Sequence, residues 1–283
     1  MTAPSALVLS GGGSLGATQV GMMAELFATG FRPDFIVGVS AGALNGAFLA
    51  HDPTPETLEQ MSLLWSRITT REALGLSWRS LLGLAGLRGH IADPRGLRGL
   101  LERHLAYRRF EEAAVPLHVV CAEFSTGEEV VLSQGDVIEA VLASTAIPGM
   151  FPPVKIGDLT LVDGAVAGGT PIGTATRLGA GRIVVLPCGF ACAAPAVSSR
   201  PLARMMHAIT LVGARQLRQE FERYASSSSI HIVPPLCPQT QPSYNYSAGA
   251  RLIARAREST RRWIDAQGLE KCEFPQQLTV HTH

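Results

Sequence analysis

Short apolar runs alternate with amphipathic stretches along the first two-thirds of the chain. Residues 6–9 (Ala-Leu-Val-Leu) and 34–39 (Asp-Phe-Ile-Val-Gly-Val) have strand length and are bounded by glycine or polar residues. Between them, residues 15–29 carry Val20, Met23, Leu26 and Phe27 at helical spacing, with Gly30 as a stop. Residues 41–50 are mostly small, which predicts a helix packed close against a sheet. Residues 116–121 and 129–132 predict two strands joined around Thr126-Gly127, and 159–162 and 182–186 predict two more. Strands alternating with helices predict an α/β layered fold around a largely parallel sheet. Three further helices are predicted. The first covers 55–69. The second covers 202–224, where Leu202, Met205, Met206, Ile209, Val212, Leu217 and Phe221 predict a core-facing stripe. The third covers 247–267 and stops at Gly268; its Arg251, Arg255, Arg257, Arg261 and Arg262 predict a solvated face, with contact to an anionic membrane as the alternative. No repeat and no linker divides the chain, so a single domain over 1–283 is expected, with 269–283 as a tail.

Composition narrows the function classes. Of 283 residues, 46% are hydrophobic, which excludes disorder as the main state. Only 17% are charged and the net charge is +1, which argues against nucleic acid as a partner, since phosphate binding needs a basic surplus. The five cysteines (Cys121, Cys188, Cys192, Cys237, Cys272) show no paired ligand spacing and read as reduced thiols. No metal or other cofactor is therefore expected. The first five residues lack a basic residue, and the apolar stretches at 35–51, 140–154 and 183–197 are broken by Gly, Ser, Asn or Pro. These features predict a cytoplasmic protein able to touch membranes peripherally. The oligomeric state is not legible.

Gly38-Val39-Ser40-Ala41-Gly42 is a G-x-S-x-G placed where a strand should end and a helix begin, the context a serine nucleophile needs. Gly11-Gly12-Gly13-Ser14-Leu15-Gly16 follows the first strand and admits three readings. A dinucleotide fingerprint wants an acidic residue at the end of the second strand, but that strand ends in Ser40. A phosphate-cradling loop wants a lysine that is not there. An oxyanion hole wants unhindered backbone N–H donors beside a nucleophile, and Ser40 favours this reading. For the base, His207 and His231 follow the elbow in chain order but sit in no marking motif; His207 falls within the helical stretch 202–224, His231 starts a short strand, and each reads first as structural. Asp163 ends the strand 159–162 and precedes Gly164-Ala165, so its carboxylate is expected at the same sheet edge as Ser40.

Together these blocks resemble the patatin-like phospholipases, over about residues 5–176. Gly11 to Gly16 resembles the family's oxyanion loop, Gly38 to Gly42 its elbow, and Asp163-Gly164-Ala165 its D-G-[AG] block. Ala143-Ser144 through Pro148 and Phe151 to Pro153 resembles its A-S-x-A-x-P-x-x-F-x-P segment. Leu15 departs from the pattern, since many members carry Arg or Lys there. The resemblance implies a three-layer α/β/α fold with a central, mostly parallel sheet, completed by 177–268. It implies a lipid acyl hydrolase of phospholipase A, lysophospholipase or carboxylesterase type, with a Ser40–Asp163 dyad. Its oxyanion hole would be drawn from Gly11, Gly12, Gly13 and Ala41, and Gly16, Gly38, Gly42 and Gly164 would be motif glycines. The substrate would be a lipid or other acyl ester. Acyl transfer from the same acyl-enzyme, a non-catalytic lipid-binding module and a nucleotide-binding protein remain alternatives. Residues 71–88, with Leu74, Leu76, Trp78, Leu81, Leu82, Leu84 and Leu87, read either as a lid or membrane-facing patch or as a packed helix pair.

Overall fold

A computed structural model describes residues 3–75, 89–190, 192 and 201–279, with the backbone alone for 201–203 and 206. Among the described residues eight strands form one sheet: β1 (Ser5–Leu9), β2 (Phe35–Val39), β3 (Leu117–Glu123), β4 (Glu129–Leu132), β5 (Val154–Ile156), β6 (Leu159–Asp163), β7 (Arg182–Leu186) and β8 (Ser229–Ile232). The sequence pattern locates all of these but β5, six of them within two residues at both ends and β8 by a short strand expected to start at His231. β3, β2, β1, β7 and β8 are parallel neighbours in that order, whereas β4, β5 and β6 run antiparallel to their partners. The helices are α1 (Ala17–Ala28), α2 (Ala41–His51), α3 (Pro55–Arg67), α4 (Thr70–Ala73), α5 (Pro94–His104), α6 (Val137–Ser144), α7 (Ile172–Arg177), α8 (Pro201–Tyr224) and α9 (Gly249–Asp265).

Alternation along the strands feeds two cores. Leu7, Leu9, Ile36, Val184 and Leu186 face α1, α2, α3, α5, α6 and α9. Ala6, Val8, Val37, Ile183 and Val185 face the opposite way, onto α7 and the C-terminal half of α8. Helices on both faces of a mainly parallel sheet make the three-layer arrangement.

The register of β3 brings two distant strand ends together. β2 pairs with residues 117–120 of β3, and β6 with residues 121–123. β4 occupies the other edge at 119–122. A strand position has only two lateral neighbours, so β6 must lie on the same edge as β2, directly beyond its end. Val120 partners Val39, and Cys121 partners Asp163. The two strands therefore run at each other head-on, and the residue after Val39 meets the last residue of β6.

Four expectations are corrected. The stripe on α8 is not uniformly core. Leu217 is buried and Phe221 packs on the sheet, but Met205 and Val212 are exposed, because the N-terminal half of the helix overhangs a cavity. The tail is not loose up to Thr279. Phe274 and Leu278 pack into the second core, and Leu278 is buried. The arginine face of α9 is not merely solvated, since Arg257 and Arg261 both bond the carboxylate of Glu25, a buried residue of α1. That helix is also shorter than expected, because residues 246–248 form a separate 3-10 turn before it. Of the segment 71–88, residues 76–88 lie outside the described residues, and with them the lid or membrane-patch reading.

Candidate active site

Ser40 sits in the turn between β2 and α2 with φ 53°, in the left-handed region that crowds any residue with a Cβ. The glycines around it make that turn feasible. A Cβ on Gly38 would overlap the backbone of Gly42 and Ala43, and one on Gly42 would overlap the backbone of Leu9 at the end of β1. The Ser40 hydroxyl stands at the N-terminus of α2, where the helix dipole is positive.

Asp163 receives it. The Ser40 Oγ–H donates to Asp163 Oδ2 at 2.7 Å, and Asp163 Oδ1 accepts the Ala165 N–H at 2.9 Å. Asp163 is only 2% exposed. Burial pushes its carboxyl up to about 6, against the opposing pull of the Ala165 amide and the Ser40 hydroxyl. A carboxylate with that value is a competent base near neutral pH. Gly164 permits the approach, because a Cβ there would overlap the Val120 carbonyl and the Val39 side chain.

Ser144 ties the elbow to the sheet. Its fully buried hydroxyl donates to the Val120 carbonyl at 2.6 Å and accepts the Ser40 N–H at 2.8 Å. The sequence marks Ser144 only as part of a motif, and nothing in its spacing gives it this task. Ser144→Ala would leave a buried donor and a buried acceptor unmatched. A stability loss of about 1–3 kcal/mol is expected in chemical denaturation, together with weaker catalysis from a looser Ser40.

In the glycine loop the amides divide. The Gly11 N–H donates to the Gly169 carbonyl at 3.1 Å, which takes it out of the expected set of oxyanion donors. Among the described residues no acceptor takes the N–H of Gly12 or Gly13. The Ala41 N–H is the first of α2 and has no intrahelical partner. Gly13 has φ 56° and lies against the Ser243 carbonyl, while Gly12 lies against Cys188 and Gly16 against Ala41 and the Trp65 ring. The loop is thus seated by close contacts, to backbone at Gly13 and to side chains at Gly12 and Gly16, that leave little room for a Cβ.

A cavity of about 340 Å³ opens over the dyad and the loop. Its far wall is the overhanging part of α8, with Met205, Ile209 and Val212, joined by Ile147, Val166 and Leu278. A recess of about 50 Å³ meets Ser40 from the other side, walled by Trp65, Met150, Phe151, Tyr244 and Tyr246. The lining of both is dominated by apolar side chains, as a hydrocarbon chain requires. Neither histidine singled out in the sequence takes part. His231 lies on β8 with its Nδ1 against the Lys271 carbonyl at 3.1 Å, and His207 lies on α8; neither bonds Ser40 or Asp163. Among the described residues no group of three or more His, Cys, Asp or Glu is placed to hold a metal ion, and no helix is long and apolar enough to cross a membrane.

A family model described as patatin-like phospholipase matches residues 7–176. The neuropathy target esterase sws of Drosophila melanogaster is 27% identical over 186 residues, covering 65% of this chain and 13% of that protein. The patatin-like phospholipase domain-containing protein 7 of Mus musculus is 26% identical over 187 residues, again 65% of this chain and 13% of the other. An uncharacterized NTE family protein of Mycobacterium tuberculosis is 30% identical over 165 residues, 58% of this chain and 27% of the other. Among solved structures, a human GIVD cytosolic phospholipase A2 bound to methyl gamma-linolenyl fluorophosphonate aligns with a TM-score of 0.48 at 13% identity. That alignment covers 95% of this chain and 58% of the other. VipD from Legionella pneumophila aligns at 0.46 and 14%, covering 93% and 67%. The chain spans about an eighth of the length of the fly and mouse relatives.

Proposed function

The chain belongs to the patatin-like phospholipase family, and from that premise we propose that it hydrolyses carboxylic esters of lipids by a Ser40–Asp163 dyad. One observation carries the reading: a serine in a strained strand-to-helix turn donates to a buried, proton-hungry carboxylate across 2.7 Å, inside an apolar cavity. Asp163 removes the proton from Ser40 Oγ as the oxygen attacks the ester carbonyl carbon. The carbonyl oxygen becomes the oxyanion, and the amides of Gly12, Gly13 and Ala41 stabilise it. Asp163 returns the proton to the departing alcohol. It then deprotonates the water that opens the acyl-enzyme, releasing the fatty acid and restoring Ser40. The acyl chain lies along Met205, Ile209 and Val212 on the overhanging half of α8. That use of the helix explains why an apolar stripe is left uncovered there, at a cost in exposed hydrophobic surface.

The test is a fluorophosphonate probe with peptide mapping, followed by a panel of single-chain and two-chain glycerolipids and simple fatty esters. A single adduct on Ser40, with fatty acid released from at least one class, is the expected result. A folded, unlabelled chain that releases nothing would overturn it.

The raised Asp163 value gives a second expectation. The base works only when ionised, so kcat/KM should rise with pH through a midpoint near 6 and then level off. A midpoint that disappears in His207→Ala or His231→Ala would identify a histidine base instead.

A further inference from the structure

The direction of each glycine-loop amide follows from where the preceding carbonyl is tied. In a trans peptide, C=O and the next N–H point opposite ways. The Ser10 carbonyl accepts Gln19 Nε2 at 2.9 Å, so the Gly11 N–H points away from Gln19, toward Gly169. The Gly11 carbonyl accepts the Ser10 hydroxyl at 3.1 Å, and that hydroxyl in turn accepts the Cys188 N–H at 2.8 Å. The Gly12 carbonyl accepts the Leu15 N–H at 3.1 Å. Three successive carbonyls are therefore held inward, and the N–H groups of Gly12 and Gly13 are left facing out.

Behind this loop lies a closed polar relay. Gln19 and Asn45 are fully buried. Gln19 Nε2 donates to the carbonyls of both Ser10 and Leu186, so its Oε1 must face Asn45. It accepts there from Asn45 Nδ2 at 2.9 Å, and the same nitrogen also donates to the Gly16 carbonyl. Asn45 Oδ1 then accepts the Trp65 indole N–H at 2.8 Å. Each bond fixes the amide orientation of the next, and a flipped amide would set donor against donor. The relay thus grips the loop at both ends, Ser10 and Gly16.

We propose that Ser10, backed by Gln19, is a positioning residue that sets the Gly11–Gly12 peptide plane so that the Gly12 N–H faces the oxyanion. Glycine peptides rotate easily, and without the hydroxyl nothing else in the loop holds the Gly11 carbonyl. The inference rests on Ser40 being the nucleophile. Its test is therefore read against the wild-type chain, with a simple fatty ester and a fluorophosphonate as probes. Ser10→Ala is expected to lower kcat, and the rate of phosphonylation of Ser40 in parallel, by about 10- to 100-fold, because a misaimed donor is lost only in the tetrahedral state. KM should stay within about threefold, and the pH midpoint near 6 should not move, since Asp163 is untouched. Gln19→Met should reproduce the pattern more weakly, and serves if Ser10→Ala does not fold. A full kcat in both folded variants would overturn the inference while leaving the dyad standing. So would a loss of kcat accompanied by a moved pH midpoint, which would place the effect on Asp163. A wild-type chain that neither turns over nor labels would overturn the dyad and the inference together.

Discussion

Ser40→Ala is expected to lose ester turnover by at least about 10⁴-fold and to take no fluorophosphonate adduct, while melting within a few degrees of the parent chain. The size of the loss follows from the chemistry. Without Oγ no acyl-enzyme can form, and a water driven directly by Asp163 must attack from a different place. The retention of structure follows from the local geometry. The N–H of residue 40 still donates to Ser144, and the glycines that admit the turn are unchanged. Alanine keeps the φ of 53° at the same steric cost as serine. What is lost is one hydrogen bond to Asp163. That bond favours the ionised carboxylate, so its removal leaves Asp163 more readily protonated. Turnover within tenfold of the parent would exclude Ser40 as nucleophile. Titrating residual binding of a non-hydrolysable ether analogue would show that the cavity itself is intact.

The parts of this site that were legible in the sequence share one property: each is a local backbone requirement. Gly38, Gly42 and Gly164 are glycine because neighbouring backbone leaves no room for a Cβ, and such needs appear as fixed letters at fixed spacing. Most strands were equally legible as short, mostly apolar runs, whereas β5, three residues with Lys155 at its centre, was not. What stayed hidden depends on contacts between distant segments. Ser144 meets Ser40 from 104 positions away, and no periodicity announces it. The commitment of the Gly11 amide needs Gly169, which is distant in sequence though bonded to it in the fold. The apolar stripe of α8 has the same spacing whether it faces a core or an open cleft, so periodicity alone assigned Met205 and Val212 to the wrong surroundings. Gln19 and Asn45 carried a usable signal, as two amides set into mostly apolar helices. A buried amide must be bonded, and here the partners are the backbone carbonyls of the loop the site depends on.

Asp163→Asn separates catalysis from stability in opposite directions. The carboxylate of Asp163 is desolvated, and its value of about 6 lies roughly two units above that of an unfolded aspartate. A group raised in this way contributes stability below the unfolded value, near pH 4, and loses it as pH rises through about 6. Above pH 6 the folded chain therefore carries a penalty on the order of 2–3 kcal/mol for keeping the group ionised. Asparagine is nearly isosteric and never ionises. Its oxygen can still accept the Ala165 N–H, and its amide nitrogen can donate to Ser40 Oγ, reversing the direction of that bond. The variant should thus melt above the parent chain at pH 8 by a few degrees, with the gap shrinking toward pH 4.5. Its turnover should fall by about 10³- to 10⁴-fold, because an amide cannot take the serine proton and now holds Oγ as an acceptor. The pH midpoint near 6 should vanish from what activity remains. Thermal melts at the two pH values, run beside initial rates across the same range, decide the matter. An Asn variant that melts lower than the parent at pH 8 would mean that Asp163 is held ionised by interactions stronger than its desolvation. One that keeps its activity would mean that the serine proton leaves by another route.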